Sequence, residues 1–199
     1  MGEKKYQQDI EKLFKKSPVV DFSSIKRIIH AKNKNTKQYA KLLVRNLVLQ
    51  KKIKRITKGY YTIHDDPTLM VFCMKPAYLG LQDALSIHNL WEQETIPIII
   101  TTGNVRQGIR EVFGTNVLVR RIEKDYFFGI EYLQQGEFYF PYSDIEKTFL
   151  DLLYFRQDIR EDVLQDMTKR INMEKLKEYL SYYSKEFQEN VKRILKRRI

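Results

Sequence analysis

Hydrophobic positions along this chain switch between a helical and a two-residue rhythm, and the switches mark its elements. Tyr6, Ile10, Leu13 and Phe14 share one side of a helix over 4–16, which Ser17-Pro18 ends. Phe22, Ile25, Ile28 and Ile29 repeat that spacing in FSSIKRIIHAK, where Asp21 or Ser23 is placed to cap the first turn. The stretch 35–63, NTKQYAKLLVRNLVLQKKIKRITKGYYTI, is the one around which the neighbouring elements are organised. Projected at about 100° per residue from Lys37, Lys41 and Arg45 fall near 40° and 80° and Gln38 near 100°, whereas Ala40, Leu43 and Leu47 cluster at about 240° to 300°. One face of this helix is apolar and the other cationic. Asn35 or Thr36 supplies its N-cap, and it runs to about Lys51-Lys52.

The rhythm then shortens. Two β-type runs, 53–57 and 60–63, flank Lys58-Gly59, where glycine can take the positive φ of a two-residue hairpin turn. Ile53 and Ile56 cannot share a face of a regular strand, so a bulge or strong twist is expected between them. Helix, turn, capped helix and basic hairpin together predict a winged helix-turn-helix over 1–64.

Asp65-Asp66-Pro67 has the composition of a junction and of a cap for the next helix. Two helical stretches are expected over 68–90. Four β runs come next, IPIIITT, NVLVRRI, FFGIEYL and EFYFPY, with a helical turn expected over 106–113. Four amphipathic stretches then return to helix, over 143–155, 158–171, 173–183 and 184–198. Strands succeeded by helices predict an α+β domain over 67–199, with a small, mostly antiparallel sheet and C-terminal helices. The fold class is therefore α+β in two domains.

Charge sharpens this division. Of the formal net charge of +11, residues 1–64 contribute 17 Lys and Arg against 4 Asp and Glu, and the remaining 135 contribute 19 against 21. Between 22 and 64 there are twelve Lys or Arg and no acid. A solvated surface normally mixes signs, so this stretch reads as a nucleic-acid surface. Thr36, Lys37, Gln38 and Lys41 are assigned to base reading, because the first turns of a recognition helix enter the major groove. Arg45, Lys54, Arg55 and Lys58 are assigned to phosphates or, at the hairpin tip, to the minor groove. The last turn, VKRILKRRI, reads as a solvated helix end that suits the helix dipole.

Other chemistry leaves little trace. No apolar run approaches the roughly 20 residues of a membrane span, and the N-terminus lacks a signal-peptide core, which predicts a cytoplasmic protein without membrane attachment. The single cysteine, Cys73, sits among apolar residues and reads as a buried, inert thiol. Three histidines, His30, His64 and His88, lie far apart, so no metal site is expected. No phosphate-binding glycine loop occurs, and the acidic pairs Asp65-Asp66, Asp144-Glu146 and Glu161-Asp162 stand where helix caps belong. Neither a cofactor nor catalysis is expected.

Three segments carry a resemblance: the hairpin KIKRITKGYYTI, the segment YLGLQDALSIHNL with Asn89 where the pattern has glycine, and SDIEKTFLDLL with Glu146, Lys147, Asp151, Leu152 and Leu153 in step. Over roughly 20–198 the chain resembles the AbiEi-type antitoxins of type IV toxin–antitoxin systems, which are winged-helix transcriptional regulators. The resemblance implies repression of its own operon through double-stranded operator DNA and neutralisation of a nucleotidyltransferase-like toxin by the C-terminal domain, with or without lasting contact. Ala84, Leu85, Asp151 and Leu152 are expected to mark fold rather than a site. The competing class is a free-standing winged-helix transcription regulator whose C-terminal domain senses a ligand or forms a homodimer.

Overall fold

A computed structural model describes residues 2–30 and 36–196, apart from the side chains of 2–5, 7, 30 and 36. The chain divides into two compact units. One holds the chain up to Cys73 together with Glu111–Thr115, and the other holds Met74–Arg110 and the chain from Asn116 on. The expected junction at Asp65-Asp66-Pro67 lies inside the first unit. There Asp66 caps a 3-10 helix, Pro67–Cys73, its Oδ1 accepting from Thr68 N at 2.8 Å. This helix buries Thr68, Leu69, Met70 and Val71. Cys73 is half-buried rather than enclosed.

The first unit contains α1 (Gly2–Lys16), β1 (Val20–Asp21), α2 (Phe22–His30), α3 (Thr36–Leu49), β2 (Lys54–Thr57) and β3 (Tyr60–Thr62). Apolar residues at helical spacing meet in one core: Tyr6, Ile10 and Phe14 from α1, Ile25 and Ile29 from α2, and Ala40, Leu43, Val44 and Leu47 from α3. Each large buried side chain contributes about 1.5–3 kcal/mol, which holds three short helices together. Asp21 caps α2, its Oδ1 accepting from Ser24 N at 2.9 Å and its Oδ2 from Ser24 Oγ at 2.9 Å.

The hairpin belongs to a three-stranded antiparallel sheet in the order β1-β3-β2. Val20 pairs with Tyr61 and Asp21 with Tyr60, a strand too short to show any alternation in the sequence. The register slips between Arg55 and Thr57, and Ile53 and Ile56 are both buried. The bulge resolves the conflict that their spacing posed. Gly59 turns the hairpin at φ +84°.

The remaining chain contains β4 (Ala77–Leu79), α4 (Gln82–Ile87), β5 (Ile98–Thr101), β6 (Gly108–Val112), β7 (Thr115–Arg121), β8 (Ile130–Gln135), β9 (Phe138–Ser143), α5 (Ile145–Tyr154), α6 (Glu161–Arg170), α7 (Met173–Leu180) and α8 (Lys185–Lys196), of which only Glu111–Thr115, where β6 turns into β7, counts with the first unit. Its six strands run in the order β6-β7-β5-β4-β9-β8. The sheet is mixed: β5 runs parallel to β7 and β4 parallel to β9, while the pairs β4–β5 and β8–β9 are antiparallel. The strand β4 had no signature in the sequence, because its three residues are all buried and show no alternation, and it separates β5 from β9. The helical turn expected over 106–113 is instead β6. Arg106, Ile109, Arg110 and Phe113 have helical spacing, but pairing with β7 across Phe113-Gly114 satisfies that backbone and overrides local preference.

Helices α5 to α8 bury Phe149, Leu150, Met167, Leu176, Val191 and Leu195 in one core with Tyr78, Leu85 and Ile100. Asn89 takes φ +56°, the left-handed conformation for which asparagine substitutes for glycine. Together the units make a chain of mixed α and β structure. Among the described residues no helix is long and apolar enough to cross a membrane.

Candidate nucleic-acid interface

Helix α3 presents its cations as its spacing dictates. Lys37, Gln38, Lys41 and Arg45 are exposed, while Ala40, Leu43, Val44 and Leu47 are buried. Thr36 begins the helix, but its side chain lies outside the described residues, as does Asn35, the alternative cap. The C-terminal end of α3 is closed by a left-handed Lys51, φ +56°, with Lys52 N donating to Leu47 O at 2.9 Å. This reversal leads the chain straight into β2. Helix face and hairpin are therefore joined by a fixed turn rather than by a linker.

On the hairpin, Arg55 and Lys58 are exposed, and Arg55 Nε donates to Thr57 O at 3.4 Å. Lys54 differs. It is partly covered and forms an ion pair with Asp65, the first acid after the cationic stretch. A phosphate would have to displace that carboxylate, so Lys54 is the least available of the cations assigned from the sequence. Lys26 and Arg27 on α2 and Lys51 and Lys52 after α3 are exposed as well. They belong to the same acid-free stretch, whose composition already marked them.

The second unit contains a different cluster, which the spacing of α5 could have revealed. Lys147 and Asp151 stand four residues apart in the otherwise apolar IEKTFLDLLY, so both must face the core with Leu150 and Phe149. Both side chains are 0% exposed and ion-paired with each other. Asp151 Oδ2 also accepts from Tyr78 OH at 2.8 Å, and Lys147 Nζ donates to Tyr183 OH at 3.3 Å. Burial depresses Lys147 and raises Asp151, with each partner's charge opposing the shift. Burial and the neighbouring carboxylate push the Tyr78 and Tyr183 phenols up.

A second, half-open group adjoins this one. Asp144 caps α5 by accepting from Lys147 N at 2.7 Å, and its other oxygen accepts from Tyr179 OH at 2.9 Å. Lys175 Nζ lies 3.0 Å from Asp144 and 3.3 Å from Glu146. Burial alone would lower Lys175, but the two carboxylates outweigh it and raise it. Gly129 at φ +65° passes so close that a Cβ there would stand 2.8 Å from Lys147 Cβ. His88, 8% exposed, meets Ser143 O at 2.8 Å through Nε2. These contacts connect β4, α5 and α7 and leave no opening at Lys147 or Asp151 for a ligand. Ala84, Leu85 and Leu152 are buried alongside. Among the described residues no three His, Cys, Asp or Glu side chains gather to hold a metal ion. Compared with known proteins, the chain matches no family and no curated sequence.

Proposed function

We propose that the first unit is a winged helix-turn-helix that binds duplex DNA, with α3 as the recognition helix and the β2–β3 hairpin as the wing. One observation carries the reading: α3 and the hairpin form a continuous stretch with exposed Lys37, Lys41, Arg45, Arg55 and Lys58, in which no acid occurs from 22 to 64. The order of α1, β1, α2, α3, β2 and β3, with a three-stranded sheet closing the unit, supports it. Docking such a surface releases counterions, so affinity should fall steeply with salt. Fluorescence anisotropy on a duplex from upstream of the chain's own reading frame tests this. If about six phosphates are neutralised, the log–log slope is near −5, and a flat dependence would end the electrostatic reading.

The biological role we assign is that of an antitoxin of the AbiEi type, repressing its own operon through this unit and neutralising a nucleotidyltransferase-like toxin through the second. KIKRITKGYYTI, YLGLQDALSIHNL and SDIEKTFLDLL support it, and the last of these supplies both the Lys147–Asp151 pair and the Asp144 cap. Co-expression with the product of the adjacent gene tests it: rescue of growth is expected, and no rescue would favour a free-standing regulator.

A further inference from the structure

The first unit carries a half-open cavity of about 360 Å³ between α1 and the C-terminal half of α3. Its floor is apolar, built by Ile10 and Phe14 from α1, Leu43 and Leu47 from α3, and Ile53. Protein interiors leave few voids larger than a water molecule, whereas pockets for small organic ligands begin at about 300 Å³. The rim is polar and unequal in charge. Lys15 and Lys52 stand against Glu11, and Asn46 and Gln50, one turn apart on α3, add amide groups. Both lysines are exposed, and neither takes part in an ion pair among the described residues. Ile63, 44% exposed, stands at the edge of the same cavity.

We propose that this cavity is a binding site for an amphipathic monocarboxylate, with an aliphatic or aromatic body on the floor and its carboxylate at Lys15 and Lys52. An apolar floor takes up the body of such a ligand without leaving a buried polar group unpaired, and a net positive rim favours an anionic head over a neutral or cationic one. The amide of Gln50 can donate to the same head. The site shares Lys52 with the acid-free cationic stretch, but ligand affinity is read in the absence of DNA and does not depend on the DNA-binding reading.

Decanoate and decanol, titrated calorimetrically into the full chain, separate the two halves of the proposal. Decanoate should bind with a Kd below about 1 mM and about tenfold more tightly than decanol. Lys15→Glu and Lys52→Glu together should remove the difference without weakening decanol, because both positions are exposed and lie outside the core. Ile63→Trp should block both ligands while leaving the circular dichroism melting curve in place. Equal affinity of the unmodified protein for the two ligands would overturn the anionic head, and so would loss of both in the lysine variant. Binding that survives Ile63→Trp, or no binding at all, would overturn the site.

Discussion

In the first unit Lys37, Lys41, Arg45, Arg55 and Lys58 stand in solvent with no carboxylate between 22 and 64, whereas in the second Lys147 is wholly enclosed against Asp151. The same kind of side chain has opposite consequences in the two places. An exposed lysine costs the fold almost nothing and remains available to a polyanion, while a buried one is tolerated only if every polar neighbour is in position. Charge in the first unit is thus expected to matter to the proposed DNA binding, and charge in the second to stability. Substitutions that separate those two readouts test the contrast.

The largest effect is expected at Asp151. Replacing it by Ala leaves the Lys147 ammonium buried without its carboxylate and should cost about 3–5 kcal/mol in urea unfolding. A Lys147→Met, Asp151→Leu, Tyr78→Phe variant removes the charges and the phenol together and should recover most of that loss. If the single substitution costs less than about 1 kcal/mol, the pair does not hold the second unit together. In the first unit, Lys37→Ala and Gln38→Ala should leave unfolding unchanged yet weaken operator binding by about 1–3 kcal/mol, with a smaller loss on scrambled duplex. Equal losses on both duplexes would remove these residues from base reading.

Asp21 brings a smaller effect and a pH dependence. Burial alone would raise its carboxyl, but hydrogen bonds from Ser23 and Ser24 outweigh it and hold the group below the ordinary aspartate range. A carboxyl depressed in the folded chain stabilises above its unfolded value and stops doing so as pH falls through the folded one. Asp21→Ala should therefore cost about 1 kcal/mol at neutral pH and flatten the acid limb of stability below about pH 4. An acid limb unchanged by the substitution would show that another carboxylate governs it. The smallest effect belongs to Asp65→Asn. It frees Lys54 and should tighten DNA binding by no more than about 1 kcal/mol, with a salt slope steeper by at most about 0.9. Weaker binding would mean that the ion pair positions the hairpin instead of restraining it.

The elements legible in the sequence were those whose residues alternate between core and solvent. Helix α3 declared its two faces, and Ile53 and Ile56 declared a bulge, because in each case one side is wet. The elements that stayed hidden lack that contrast. All three residues of β4 are buried, so nothing in AYLG distinguishes a central strand from any other apolar run. Gly108–Val112 has helical spacing and becomes a strand only because β7 is there to pair with it. The exposure of the α3 cations was readable, since it follows from the helix face. The ion pair of Lys54 was not, because Asp65 lies outside the hairpin and only the fold brings it back.

The short strand β4 also sets an order of events in folding. It lies between β5 and β9, with Leu79 opposite Tyr142, and its Tyr78 donates to Asp151, 73 residues further along. Its centre cannot close until the chain as far as α5 has been made, and the Tyr183 partner of Lys147 comes later still. Contacts of such long range slow folding, because loop-closure entropy is lost before any burial compensates for it. The helices and hairpin within 2–62 need no such wait. During synthesis, at about 5–20 residues per second, that segment has several seconds in which to fold while β4 still lacks its β9 neighbour. Refolding should accordingly show two phases, a fast one reported by the Tyr6–Tyr39 ring contact and a slower one reported by Trp91, which packs against the core of the second unit.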